Sequence, residues 1–339
     1  MAKLIKLSDI AEVVGVSTVT VSKALSNKVG VSDEMRTRIK EVAEEMGYIS
    51  KTMTKNNLHE TNNIGVLIPA RYFENTSFYW EFYHRIVSQL TEIGYFCILE
   101  IINSDAEESL EIPKVIQEQK VDGVILIGQA HEDYLEKIVN LNQIPTMVLD
   151  CYDAHIEYDT VISDGFYGMY ILTNYLLRMG HRKIGFVGTT LATSSITDRY
   201  LGYYKALLEY GIQPNPEWVI PDRDESEKIL SNFNLPQELP TAFACNCDLT
   251  AHYLISTLKE RNLKVPEDMS IVGFDNFLYA DLSDIKITTY EVNIDNMVKV
   301  CIDHLIKKIK GLDYPKGISI VTGSLIIKES VQDISGIIE

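Results

Sequence analysis

The sequence predicts a small all-α head followed by an α/β body of two doubly wound parallel-sheet lobes. Three observations lead there. Residues 1–50 hold three short helical segments and no strand pattern. After Ile64, short apolar runs alternate with amphipathic segments, the pattern of parallel strands joined by crossover helices. At 339 residues the chain is too long for one core, and domains of ~100–200 residues imply two or three units.

The head comes first. Ser8 and Asp9 supply caps for a helix whose apolar face is Ile10, Ala11 and Val14. Gly15 ends it, where a left-handed backbone costs glycine least. Ser17 caps a second helix from Thr18 to about Leu25. Ser32, with Asp33 and Glu34 in the first turn, opens a third that runs to Met46 and closes at Gly47. Helix, glycine turn and helix make a helix-turn-helix. On the second helix Val21, Ala24 and Leu25 face inward. Thr18 and Ser22 share one outward face, and Val19 and Lys23 the adjacent one, each pair four apart. Such a small, polar, singly basic surface fits a major groove. Spacing alone fits a plain three-helix cap with solvated hydroxyls equally well.

Residues 51–63 break the composition, since seven of the thirteen are Thr or Asn. They read as a linker, or as a helix too weak to form alone. The body, residues 64–339, has strand candidates at Ile64–Pro69, Phe96–Ile101, Gly123–Ile127, Thr146–Leu149, Lys183–Val187, Thr241–Ala244 and Met269–Gly273. Helical periods lie at Tyr79–Ile93, Leu110–Glu118, Tyr167–Arg178, Ser195–Tyr210, Asp248–Arg261 and Ile294–Ile309. Two sheets are needed to hold them, and doubly wound sheets bind ligands at the carboxyl ends of their strands.

Charge divides along the same line. The chain carries −17, but residues 1–60 sum to +1 and the rest to −18. That suits a small DNA-contacting module on an acidic body, not a whole-surface nucleic-acid binder. No apolar stretch reaches the ~18 residues of a membrane span. The N-terminus lacks the apolar run of a signal peptide, and five cysteines in a long chain read as reduced thiols. A cytoplasmic protein is expected. No nucleophile elbow, phosphate loop or dinucleotide fingerprint occurs, so no enzyme and no cofactor are expected. Cys245 and Cys247 resemble half a zinc site, but no second pair follows at suitable spacing, so no metal is expected.

Certain strings together resemble the LacI/GalR repressor family over nearly the whole chain. In the head these are Asp9-Ile10-Ala11, Gly15-Val16-Ser17, Thr20-Val21-Ser22, Leu25-Ser26, Val31-Ser32 and Gly47-Tyr48. In the body they are Gly180-His181-Arg182, Arg199-Tyr-Leu-Gly202-Tyr203, Asp248 and Gly273-Phe-Asp275. The resemblance implies that Thr18, Val19 and Lys23 touch base edges and that Ser17, Thr20 and Ser22 hold phosphates. Lys23 stands where arginine is common and lacks its planar fork, which softens operator preference. It also implies a hinge helix at 51–63 with a leucine wedged into the minor groove. Leu58 is the first candidate and Met53 the second, with a wedge-free tether as the alternative.

For the body, the resemblance implies a periplasmic-binding-protein-like type I sensor. One lobe spans about 62–162 plus 293–323, and the other about 163–292 plus 324–339. Three crossovers let them hinge about a cleft. Phe78 and Tyr79 fall where relatives stack a ligand. Arg199 would fork onto two ligand oxygens, and Asp275 would accept from ligand hydroxyls or amines. Cys247 stands in the family's asparagine position, and His181 is read as structural. The expected protein is a transcriptional repressor that pairs as a homodimer on operator DNA and answers to a small molecule. A neutral sugar is favoured, with a purine or phosphosugar open. A solute-binding transport protein and a sugar enzyme compete less well, the first for want of a leader, the second for want of catalytic groups.

Overall fold

The computed structural model describes residues 7–25, 30–45, 61–72, 78–141, 144–153, 155–224, 228–277 and 285–336. The chain divides into two compact units, Met1–Thr61 and Asn62–Glu339. The first is helical, with α1 at Leu7–Val14, α2 at Thr18–Leu25 and α3 at Asp33–Glu45. Its core is Ile10, Ala11, Val21, Ala24, Leu25, Ile39 and Ala43, the apolar stripes of the three helices brought face to face. Gly15 adopts φ +75°, and the N–H groups of Gly15 and Val16 both reach the Ala11 carbonyl, at 2.9 and 3.0 Å. A side chain there would strain the left-handed turn that separates α1 from α2.

The second unit holds two six-stranded sheets. One is built from β1 (Asn63–Pro69), β2 (Phe96–Ile102), β3 (Gly123–Ile127), β4 (Thr146–Leu149), β5 (Thr160–Ser163) and β11 (Ile318–Val321). Its order is β11-β5-β4-β3-β1-β2, parallel throughout. The other contains β6 (Ile184–Val187), β7 (Val219–Ile220), β8 (Ala242–Cys245), β9 (Ser270–Asp275), β10 (Thr288–Glu291) and β12 (Ser324–Ile326). Its order is β12-β10-β9-β8-β6-β7, with only β12 antiparallel. The central strands are apolar on both faces because helices cover both. Val66 and Ile68 enter one buried cluster while the intervening Leu67 enters another.

The covering helices are α4 (Phe78–Glu92), α5 (Ser104–Glu108), α6 (Lys114–Gln117), α7 (Glu132–Val139), α8 (Gly165–Arg178), α9 (Ser194–Glu209), α10 (Asp248–Glu260) and α11 (Ile294–Lys310). The chain passes from the first sheet to the second after β5. It returns after β10 to add α11 and β11, then crosses a third time to place β12. Late residues therefore complete both lobes. His181 pins the last segment to the second lobe, with its ring nitrogens 2.9 Å from Thr241 Oγ1 and 3.2 Å from the Gln332 carbonyl. The Gln332 carbonyl can only accept, so Nε2 carries a proton, while the Thr241 hydroxyl also donates to the Lys183 carbonyl at 3.1 Å.

One expected element is corrected. Leu110–Glu118 is not a continuous helix: α5 has already ended at Glu108, Leu110 lies in the turn that follows, and only Lys114–Gln117 (α6) is helical. Leu110 takes φ +55° and Pro113 stands at the cap of α6. Proline has no N–H to extend a helix backwards.

Candidate functional site

Two surfaces concentrate the residues singled out from the sequence. On the head, Thr18, Val19, Ser22 and Lys23 are exposed along one side of α2, and Thr20 is half-buried. Val19 is an apolar side chain left 61% exposed. Ser17 caps the helix by accepting the Thr20 N–H at 3.1 Å. Its hydroxyl lies 2.9 Å from that of Thr20, so this pair keeps one hydroxyl hydrogen for an outside acceptor such as a phosphate. Arg36 on α3 donates to the carbonyls of Ala24 and Val31, each at 3.3 Å, which ties down the carboxyl end of α2. Its charge complements that helix end. Leu58 and Met53 lie outside the described residues.

The second surface is the cleft between the lobes. Asp150 follows β4, Asn246 and Cys247 follow β8, and Asp275 ends β9, so strand carboxyl ends supply the groups. From α9, the buried Arg199 donates to the Asn246 carbonyl at 2.6 Å and to Asp275 Oδ1 at 3.2 Å. Its guanidinium lies 3.9 Å from the centre of the Phe274 ring. The Arg199–Asp275 pair belongs to one lobe, so the ion pair is not between lobes. Arg199 Nε finds no partner.

On the opposite wall the Tyr79 hydroxyl donates to Asp150 Oδ2 at 3.1 Å, and its ring lies 4.8 Å from that of Tyr72. Phe78 meets Phe82 at 5.1 Å and Phe277 of the other lobe at 6.0 Å. Beside Asp275 a cavity of about 650 Å³ opens between Glu81 and Arg85 on one side and Phe277, Glu291 and Asp295 on the others. Arg85 is already paired, with Glu81 at 2.7 Å and Asp295 at 3.2 Å.

The backbone is strained where these walls meet. Asp150, Asp275 and Asn276 have φ of +68°, +100° and +53°. Each such non-glycine residue costs about 1–3 kcal/mol, and such strain gathers at functional sites. Gly273 is fixed by the same crowding, since a Cβ there would stand 2.0 Å from Asp248 Oδ1.

Burial sets the charges. Loss of water raises Asp150 to about 6, with Arg199 and the Tyr79 hydroxyl pulling back. Burial raises Asp248 to about 7. It also raises Asp275, which Arg199 holds down and Asp248 and Asp150 push up. Behind them Asp222, fully buried, accepts from the Thr189 N–H at 2.7 Å and the Asn246 amide at 2.6 Å. Cys247 caps α10 through its sulfur. The structure thus brings Tyr79, Arg199 and Asp275 into one cleft and sets Phe78 at its aromatic edge. Asp150, Asp222 and Asn246 are additions that the sequence reading missed. Asp150 and Asn246 each stand just past an apolar strand, a position that would have flagged them.

Comparison with known proteins agrees with this anatomy. Residues 6–51 match the family model described as bacterial regulatory proteins, lacI family, and residues 173–331 match a periplasmic binding protein-like domain. An HTH-type transcriptional repressor PurR of Pasteurella multocida is 25% identical over 331 residues, covering 96% of this chain and 98% of that protein. Its namesake from Haemophilus influenzae strain PittEE is 27% identical over 337 residues, covering 97% and 99%. Among solved structures, a transcriptional regulator CelR–cellobiose complex aligns with a TM-score of 0.68 at 20% identity, covering 96% and 99%. A lac repressor dimer bound to operator and the anti-inducer ONPF aligns with a TM-score of 0.64 at 20% identity, covering 97% and 100%.

Proposed function

Because this chain belongs to the lacI family, DNA-binding transcriptional repressors with a ligand-binding sensor domain, we propose that its operator affinity is set by a neutral sugar bound in the inter-lobe cleft. The observation that carries this reading is the convergence of Asp150 and Asp275 at strand carboxyl ends with Tyr79 and Arg199 from the helices above, of which Asp275 also lines the neighbouring cavity. Carboxylates accept from sugar hydroxyls, a guanidinium donates to them, and aromatic rings cover the apolar face of a pyranose. The CelR–cellobiose complex, which shares the fold, supports a sugar. In the head, Thr18, Val19 and Lys23 read base edges while Ser17, Thr20 and Ser22 hold phosphates, supported by the exposure of all of them but the half-buried Thr20, whose hydroxyl lies beside that of Ser17.

The protein acts in the cytoplasm as a homodimer. No helix among the described residues is long and apolar enough to cross a membrane. Strand β2 supports pairing, as it lies at the sheet edge with Phe96 70% and Ile101 42% exposed. An apolar edge strand is a template for a second chain. Effector and operator then compete through lobe arrangement, each shifting the balance only by its differential affinity for the two states.

The test joins a ligand screen to gel shifts. Neutral sugars, purines and phosphosugars are assayed by thermal shift, where a ligand at ~100 times its Kd adds ~2.7 kcal/mol of stability. Each hit is added to gel shifts on operator fragments selected from genomic DNA. A sugar that stabilises the protein and changes operator affinity is expected, with both effects lost in Arg199→Met. Lys23→Ala is expected to lower sequence discrimination. A purine or phosphosugar as the active hit refutes the sugar assignment, and failure to bind any fragment sinks the regulator mechanism.

A further inference from the structure

Three hydrogen bonds join the first lobe to one short stretch of the second. The Tyr152 hydroxyl donates to Asp198 Oδ1 at 2.7 Å. The Tyr152 N–H donates to Ser194 Oγ at 3.3 Å, and the Ser194 N–H donates to Gln129 Oε1 at 3.2 Å. Tyr152 lies just past β4 and Gln129 just past β3, while Ser194 and Asp198 occupy the first turns of α9. Asp198 is followed at once by Arg199, which grips its own lobe through Asn246, Asp275 and Phe274. A single helical turn is therefore held from both sides of the cleft.

We propose that Tyr152 is a positioning residue for the effector response, a catch by which the first lobe fixes the turn of α9 that carries Arg199. This rests on the reading of the cleft as the effector site and adds to it the means by which the lobes feel that site.

Three features distinguish the catch from ordinary packing. The contacts are polar and half-exposed, so water can replace them at little net cost when the lobes part. A carboxylate acceptor makes the Tyr152 bond stronger and more directional than a neutral one. The catch also lies against a crossover. A Cβ at Gly165, the first residue of α8 after the chain leaves β5, would contact Asp198 Cβ and Arg199 Cγ, each at 3.5 Å. A rotation of the lobes at that crossover must move α9 relative to Tyr152, while Arg199 keeps its partners in the second lobe.

The three bonds should open and close as a unit. Hydrogen exchange of the full-length, ligand-free protein tests this with Tyr152→Phe, Asp198→Ala and Asp198→Asn. Removing the hydroxyl in Tyr152→Phe leaves both catch amides chemically intact. It is nevertheless expected to speed exchange of the segments around Tyr152 and around Ser194 together, by about tenfold, as a local cooperative opening does. Asp198→Ala should match it. Asp198→Asn keeps an acceptor oxygen and should stay near wild type. Exchange in β1 and β8 should not change. The proposal is overturned if the Ser194 segment is unaffected, if Asp198→Asn behaves like Asp198→Ala, or if exchange rises equally in the core strands. Since no ligand is used, these failures leave the effector reading standing, and that reading falls on its own screen.

Discussion

Asp150 carries a measurable stability cost. Its carboxyl is buried at the end of β4, and burial lifts it from 3.8 to about 6. The folded state therefore holds the proton more tightly than the unfolded chain does. The resulting stabilisation is fully present below about pH 4 and is lost as pH rises through about 6, where the charged form must be kept out of water. A shift of about two units at ~1.4 kcal/mol each comes to about 3 kcal/mol. Asp150→Asn removes the charge and retains an oxygen for the Tyr79 hydroxyl. At pH 7.5 the variant should be more stable than wild type by up to about 3 kcal/mol, roughly 5–10 °C in Tm for a body of this size. At pH 4.5 the gap should shrink to well under half of that. Urea unfolding of both proteins across this range is the assay. A difference that does not vary with pH, or an Asn variant less stable at pH 7.5, refutes the reasoning. Gained stability should come with weaker effector binding, since natural sites trade one for the other.

Two further outcomes follow from packing. Gly273→Ala drives a methyl into the Asp248 carboxylate, 2.0 Å from its ideal position. It should cost at least ~3 kcal/mol, read as a fall in the urea midpoint, because the partner is fully buried and cannot swing away. Phe96→Glu places a charge on the exposed β2 edge, and under the homodimer proposed above sedimentation should show the variant shifted toward monomer relative to wild type. An unchanged dimer would remove β2 from the interface.

Much of this architecture could be read before any coordinates. Thr146–Leu149 is a strand in both descriptions, and Ile64–Pro69 differs from β1 by one residue. Buried parallel strands appear as unbroken apolar runs, which is why they were visible. The strands overlooked were β5 (TVIS), β7 (VI), β10 (TTYE), β11 and β12. They are short or threonine-rich, and their membership depends on neighbours far away in sequence. Arg199 and Asp275, proposed for the effector site, stand in recognisable sequence strings. Asp150 does not, although it stands where a doubly wound sheet places ligand groups. Its role depends on Tyr79, which is 71 residues away, and no local pattern reports such a partner.

The late return of the chain to both sheets bears on how the protein is made. Strand β5 ends at Ser163, but its outer neighbour β11 begins only at Ile318. At a synthesis rate of ~5–20 residues per second, roughly 8–30 s separate their emergence from the ribosome. During that interval the first lobe has an open β-edge. The nascent chain must keep that edge from pairing with another chain until Ile318–Val321 has been made. Premature termination anywhere between those strands would release a DNA-reading head on a sensor whose first sheet is unfinished.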